Sequence, residues 1–227
     1  MTAYFSDAAF RFFRGLARNN ERAWFIEHKA EYDACVRAPF QRLLRDLEPV
    51  MAGISPHYRC DPRPVGGSLY RLQRDTRRYA DKSPYKSWQG GEIFYERRHT
   101  EAPAFFLHLQ DNASFLAAGL WYPQPATMRR VRQFIVDNPA GWRAAAHSDS
   151  FANAFALDDR DMLVRGPRGF AEAGEFAFDL RRKNMLAIQP LANAVMTGAG
   201  LLERVEQAFT TATPFVDYLC AALDLEF

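Results

Sequence analysis

The sequence predicts an α+β fold in which helices pack on an antiparallel sheet. Apolar residues recur at helical spacing through residues 1–52, short aromatic or alternating runs punctuated by glycine and proline fill 53–125, and helical spacing then returns. Because the short runs follow one another closely, we expect them to pair as antiparallel neighbours. The 227 residues contain no linker, repeat or low-complexity tract, so we expect a single domain over 1–227.

Local signals predict three helices in the first part of the chain. The first spans residues 7–18, because Ser6 is a favourable N-cap for the helical pattern that follows it. Asn20 is predicted to cap the second helix, and Pro39 stands at the start of the third, near 40–52.

The middle of the chain predicts strands, and the end predicts further helices. The candidate strands are 68–74, 92–97, 104–110, 115–122 and 184–191. We expect 104–110 and 115–122 to pair directly, because a short polar turn separates them. Helices are predicted from Pro125 onward and at about 200–223.

Composition excludes several classes of protein. Cys35, Cys60 and Cys220 are widely spaced and form no C-x-x-C motif, which argues against a disulfide framework or a zinc site. No apolar segment approaches the roughly 20 residues of a membrane helix, and the N-terminus lacks the pattern of a signal peptide. We therefore expect a cytoplasmic protein that has no membrane partner, metal site or cofactor.

A basic segment between Arg71 and Lys86 is the strongest functional signal. It sets six cations against two anions, a local charge of +4, whereas the whole chain carries only +2. The cations are Arg71, Arg74, Arg77, Arg78, Lys82 and Lys86, and the anions are Asp75 and Asp81. Arginine forks and lysine point charges are the groups that bind carboxylates and phosphates.

Three interpretations of this segment remain open. Asp75 and Asp81 can neutralise their own neighbours in structural ion pairs, the cations can form a pocket for a small phosphate- or carboxylate-bearing ligand, or they can face nucleic acid or an acidic protein. In the third case the rings of Tyr79, Tyr85 and Trp88 could stack on bases. The predicted pocket residues are Arg71, Arg74, Arg77, Lys82, Tyr85, Lys86, Trp88 and Trp121.

His108 is the best-placed histidine for acid–base chemistry. In the predicted strand 104–110 it shares one face with Phe106 and Gln110, and a half-buried imidazole beside cations would have a lowered pKa. A histidine in this position also serves commonly as a hydrogen-bonded structural residue. Because the sequence contains no hydrolase, metalloprotease or nucleotide-loop motif, it names no reaction.

Several blocks resemble a known family. NNERAWF, YRLQRDTRRYADKSPYK, GLWYPQP, KNMLAIQPL and TPFVDYL look like the signature blocks of the domain of unknown function 2461 family. The resemblance covers nearly the whole chain and implies an α+β domain of uncharacterised function. Two positions depart from the family pattern. Arg78 stands where an aromatic residue is expected, with Tyr79 following it, and no His-Pro pair occurs near Gly174 and Glu175.

Overall fold

The computed structural model describes residues 2–63, 66–77, 80–96, 101–170 and 174–227. Arg78, Tyr79, the last residue of the predicted strand 92–97 and part of the stretch before Gly174 lie outside these described residues. The expected α+β fold is confirmed, with helices at both ends of the chain and an antiparallel sheet between them.

The helices fall into an N-terminal and a C-terminal group. The first group contains α1 (Asp7–Arg18), α2 (Arg22–Glu27), α3 (Lys29–Tyr32), a π-helical turn (Asp33–Arg37) and α4 (Ala38–Ile54). The second contains α5 (Pro125–Asp137), α6 (Pro139–Ala146), α7 (Asp149–Ala154), α8 (Asn193–Met196) and α9 (Leu201–Ala222). Single 3₁₀ turns lie at Gly174–Phe176 and Asp179–Arg181.

The described strands form one antiparallel sheet in the order β1-β2-β3-β4-β6-β5. They are β1 (Tyr58–Arg59), β2 (Gln89–Tyr95), β3 (Ala104–Leu109), β4 (Ser114–Leu120), β5 (Ala156–Leu157) and β6 (Met185–Leu191). The predicted pairing of 104–110 with 115–122 is confirmed, since β3 and β4 are hydrogen-bonded neighbours with His108 opposite Phe115.

One face of the sheet builds the core. In β3, Phe105, Leu107 and Leu109 are buried against the helices, whereas Phe106 and His108 point to the opposite face, as the two-residue period of a strand requires. The helix α9 supplies many of the buried apolar side chains that cover the core face. The other face is therefore left to form a surface cleft.

The first helix follows the prediction closely. It spans Asp7–Arg18, and the hydroxyl of Ser6 accepts a hydrogen bond from the amide of Ala8. The predicted capping role of Asn20 is wrong. Glu21 is the N-cap residue of α2, and the side chain of Asn20 instead bonds the backbone of Tyr85.

The predicted strand 68–74 is also wrong. Leu69 and Leu72 are both buried at a spacing of three, which is incompatible with strict alternation along a strand. The segment pairs briefly with β2 through Leu69 and then with residues 84–86, where the amide of Lys86 donates to the carbonyl of Leu72 at 2.9 Å. Changing partners within a few residues prevents a continuous ladder.

Two glycines extend β2 beyond the predicted start at residue 92. A Cβ on Gly91 would lie 2.5 Å from the ring of Phe40, and one on Gly90 would lie 2.6 Å from the ring of Phe106. The absence of a side chain at Gly90 and Gly91 therefore lets aromatic rings pack against both faces of β2, and the two glycines lie within the strand and not in a turn. Two strands away in the sheet, β4 ends at Leu120, before Tyr122 adopts a left-handed backbone with φ of 44°.

Candidate functional site: two adjoining cavities around Trp88

A cleft of about 590 Å³ lies on the open face of the sheet. We call it the sheet cleft. Its main lining residues are Tyr70, Trp88, Glu92, Phe106, His108, Gln110, Phe115, Trp121, Arg160 and Leu186. A concave, aromatic surface with a few polar side chains is typical of small-molecule sites.

The depth of the sheet cleft comes from small residues paired across two strands. Ala104 lies opposite Gly119, and Phe106 lies opposite Ala117, so small side chains occupy three of these four positions. All four line the cleft, and we call them its floor.

A second cavity, of about 610 Å³, adjoins the first at the basic segment. We call it the basic hollow. It is lined by Ala17, Asn20, Arg74, Asp75, Asp81, Ser83, Tyr85, Lys86, Ser87 and Trp88. Trp88 lines both cavities, and its indole therefore forms part of the wall between them.

Lys86 lies at this shared wall. Its Nζ lies 4.9 Å from the centroid of the Trp88 ring and 5.5 Å from that of Tyr70, and it donates a hydrogen bond of 2.9 Å to the carbonyl of Arg71. Burial lowers the pKa of this ammonium group, and the positive charges of Arg71 and Arg74 lower it further. Among the described residues no carboxylate forms an ion pair with Lys86.

Two other cations of the segment, Arg74 and Arg77, form ion pairs with carboxylates. Arg74 forms an ion pair with Asp81. The guanidinium of Arg77 donates two hydrogen bonds, of 2.6 and 2.8 Å, to the carboxylate oxygens of Asp75. The hydrogen bonds from Arg77 lower the pKa of Asp75. Both carboxylates are well exposed to solvent. Exposed pairs of this kind hold a loop in shape but contribute little to stability.

The structure brings together some of the predicted pocket residues and leaves others apart. Four of them, Arg74, Tyr85, Lys86 and Trp88, line the basic hollow, and Trp121 lines the sheet cleft. Three others, Arg71, Arg77 and Lys82, are exposed and line neither of these two cavities. The Nζ of Lys82 donates to the carbonyl of Thr76 at 2.9 Å.

His108 lies in the sheet cleft between aromatic rings. Its imidazole stacks on Phe115 at 4.5 Å and contacts Trp88 at 4.6 Å, and burial lowers its pKa, although the hydrogen bond to Gln110 opposes this in part. Since Oε1 of Gln110 can only accept, Nε2 of His108 donates across their 2.8 Å contact. Nδ1 of the neutral ring then carries the lone pair.

That lone pair lies on the ring nitrogen that does not contact Gln110. No described residue forms a hydrogen bond with it. His108 can thus accept a proton or a hydrogen bond in this position.

Sequence reasoning missed Arg160, a cation of the sheet cleft. Its guanidinium contacts the buried carboxylate of Asp158 at 2.6 and 3.2 Å, and Asp158 also accepts its backbone amide. The same D-x-R arrangement occurs at Asp61–Arg63 and Asp75–Arg77. A recurring D-x-R spacing, which the sequence also shows at Asp179–Arg181, was the available signal, but only the fold reveals that Arg160 lines the sheet cleft.

Neither a metal site nor a membrane span is evident in the described part of the chain. No group of three or more histidine, cysteine, aspartate or glutamate side chains there could hold a metal ion. None of its helices is both long enough and apolar enough to cross a bilayer.

Comparison with known proteins identifies a family without an assigned activity. The model of the family described as "Conserved hypothetical protein (DUF2461)" matches residues 8–218. No curated protein and no solved structure matches the chain.

Proposed function

We propose that this chain, which belongs to the DUF2461 family, binds a small molecule that carries a carboxylate or a phosphate, with its anionic group near Lys86. The observation that carries the proposal is the position of Lys86. Its ammonium group lies over Trp88, the residue shared by the two cavities, and has no carboxylate partner among the described residues.

The electrostatic environment of Lys86 supports an anionic ligand. Arg71 and Arg74 both lower its pKa, so the field at Nζ from its charged neighbours is positive. Repulsion among cations is relieved when an anion binds, and an arginine fork offers a carboxylate or phosphate two parallel hydrogen bonds. Arg74 already pairs with Asp81, which leaves Lys86 as the cation best placed to respond to a ligand.

The sheet cleft supports a ligand with a flat or apolar part. Trp88, Phe106, Phe115 and Trp121 line it together, and three of its four floor positions are occupied by small residues. Aromatic walls favour stacking, while Gln110 and Arg160 offer polar contacts. His108 supplies a neutral imidazole to the same space.

Thermal unfolding with and without added anion tests the proposal. A ligand that binds only the folded state raises the unfolding midpoint, so millimolar inorganic phosphate should raise that of the parent protein. Lys86→Met should abolish the rise, and Lys86→Arg should retain it because the charge remains. Lys82→Met is the matched control, since it removes an exposed cation from the same segment.

The result also separates this function from nucleic-acid or acidic-protein binding through the exposed cations. That alternative requires Arg77 and Lys82 to matter as much as Lys86, with binding that falls steeply as salt rises. Equal losses in Lys82→Met and Lys86→Met, or the absence of any phosphate-dependent shift in the parent, would contradict the small-anion proposal.

A further inference from the structure

Lysine is rare in this chain and only one lysine is shielded from solvent. The 29 basic residues include four lysines, and the other 25 are arginines. Lys29 and Lys183 are exposed and pair with carboxylates, and Lys82 is exposed and donates to a carbonyl. Lys86 alone of the four is half-buried and touches aromatic rings.

The surroundings of Lys86 are those of a reactive amine. A nucleophilic lysine must lose its proton, and partial burial or a neighbouring cation makes that loss easier. Lys86 is half-buried and lies near two cations. Burial and the charges of Arg71 and Arg74 lower the pKa of Lys86, and the carbonyl of Arg71 accepts a hydrogen bond that a neutral amine can also donate.

We propose that Lys86 is a nucleophile that forms an imine with a small carbonyl compound bearing a carboxylate or a phosphate. This inference rests on the proposed function, because it narrows the ligand to one with a carbonyl group within reach of Nζ. When Lys86 becomes neutral, Arg71 and Arg74 keep their charges, so an anionic group next to the carbonyl is still attracted.

The chemical step balances without a further co-reactant. The lone pair of Nζ attacks the carbonyl carbon, and a C–N bond forms while the C–O π bond opens. The two amine protons then leave with the carbonyl oxygen as water, and the product is a C=N double bond. The rings of Trp88 and Tyr70 lie near Nζ and restrict access of water to it, which favours the imine over its hydrolysis.

Reductive trapping tests this inference directly. Glyoxylate, an aldehyde with an adjacent carboxylate, is added at pH 7 with sodium cyanoborohydride, which reduces an imine to N-carboxymethyl-lysine. Peptide mapping by mass spectrometry then follows all four lysines in one sample. We expect Lys86 to be modified several-fold faster than Lys82, because a lowered pKa increases the fraction of the amine that is neutral.

Matched variants make the outcome specific. Lys86→Arg keeps the charge but has no amine that forms an imine, so it should lose the fast adduct, whereas Lys82→Arg should leave modification at Lys86 unchanged. Modification of Lys86 that is no faster than that of Lys82 in the parent would overturn the inference.

A second aldehyde separates this inference from the proposed function. Acetaldehyde has no carboxylate, and we expect it to modify Lys86 more slowly than glyoxylate does, relative to Lys82 in each case. Preferential modification of Lys86 by both aldehydes alike would support the nucleophile but contradict anion binding. A phosphate-dependent thermal shift without preferential modification would support anion binding and overturn the nucleophile.

Discussion

The side-chain amide of Asn20 makes two hydrogen bonds with the backbone of Tyr85. Nδ2 donates to the carbonyl at 2.9 Å, and Oδ1 accepts from the backbone amide at 3.0 Å. This pairing mimics one rung of a β-ladder and fastens the basic segment to the turn between α1 and α2. Because Lys86 follows Tyr85 directly, the same contact fixes the position of the candidate nucleophile.

We predict that Asn20→Ala lowers the free energy of unfolding by about 1–3 kcal/mol, because it leaves two partly buried backbone groups without their partner. Urea denaturation measures this change. Asn19→Ala is the control, since Asn19 makes an exposed hydrogen bond to the carbonyl of Gly15 and its loss should cost less. Equal effects of the two substitutions would show that the Tyr85 contact adds little stability.

The basic segment also shows where sequence reasoning succeeded and failed. The helix from Asp7 and the pairing of β3 with β4 were predictable, because an N-cap, a helical period and a short polar turn are local signals. The irregular pairing of residues 68–74 was not predictable from local signals. Its two partners lie in β2 and in residues 84–86, and only the folded chain brings both of them to this segment.

The candidate site divides in the same way. Lys86 and Trp88 could be nominated from the density of charge and aromatic residues around them. Arg160 and the floor of the sheet cleft could not. The floor depends on which small residues of β3 and β4 lie opposite one another, and that register follows from burial of the other face. Gly90 and Gly91, which in the sequence separate short aromatic runs, make space for aromatic rings in the structure.

We predict that His108 makes the protein less stable as the pH falls. Its folded-state pKa is lowered, so below about pH 6.5, the ordinary value, the unfolded chain binds a proton more readily than the folded protein. The free energy of unfolding therefore decreases as the pH falls below the pKa that His108 has in the unfolded chain. The decrease is complete once the pH is below the pKa that His108 has in the folded protein.

Urea midpoints of the parent and of His108→Gln between pH 5 and pH 8 isolate this contribution. At pH 8 the variant should be the less stable protein, because it loses the ring stacked on Phe115. The gap between the two should narrow on acidification, since only the parent carries this titrating group. A gap that stays constant or widens as the pH falls would be inconsistent with a lowered pKa for His108.

Asp179 and Asp75 are predicted to respond differently to the same substitution. The carboxylate of Asp179 is buried and accepts hydrogen bonds from Trp142 at 2.8 Å and from Arg182 at 3.1 Å, with His147 at 2.6 Å. Asp179→Asn removes the carboxylate that forms an ion pair with the buried Arg182, and we expect a loss of about 3–5 kcal/mol in the free energy of unfolding.

Asp75→Asn is the matched control, because Asp75 pairs with Arg77 on the exposed surface, where water screens the pair. Its urea midpoint should stay close to that of the parent. A large loss of stability in this variant would mean that the basic segment is held by its ion pairs, which would favour the structural interpretation of those charges over a binding role.

The floor of the sheet cleft requires glycine at position 119. Gly119 has φ of +119°, and a Cβ built there would lie 2.0 Å from the carbonyl oxygen of Met185 on the neighbouring strand and 2.9 Å from the ring of Phe215. Since a backbone atom of the β4–β6 ladder cannot move aside without breaking hydrogen bonds, Gly119→Ala should destabilise the protein markedly and disturb the cleft.

Gly53→Ala is the contrasting change, because Gly53 lies within α4 and a Cβ built on it would meet nothing within 4 Å. We expect that variant to gain about 0.4–1 kcal/mol through the smaller conformational freedom of its unfolded chain. Urea midpoints of the two variants measured beside the parent should therefore shift in opposite directions, and a Gly119→Ala protein as stable as the parent would mean that β4 and β6 can separate at this rung at little cost.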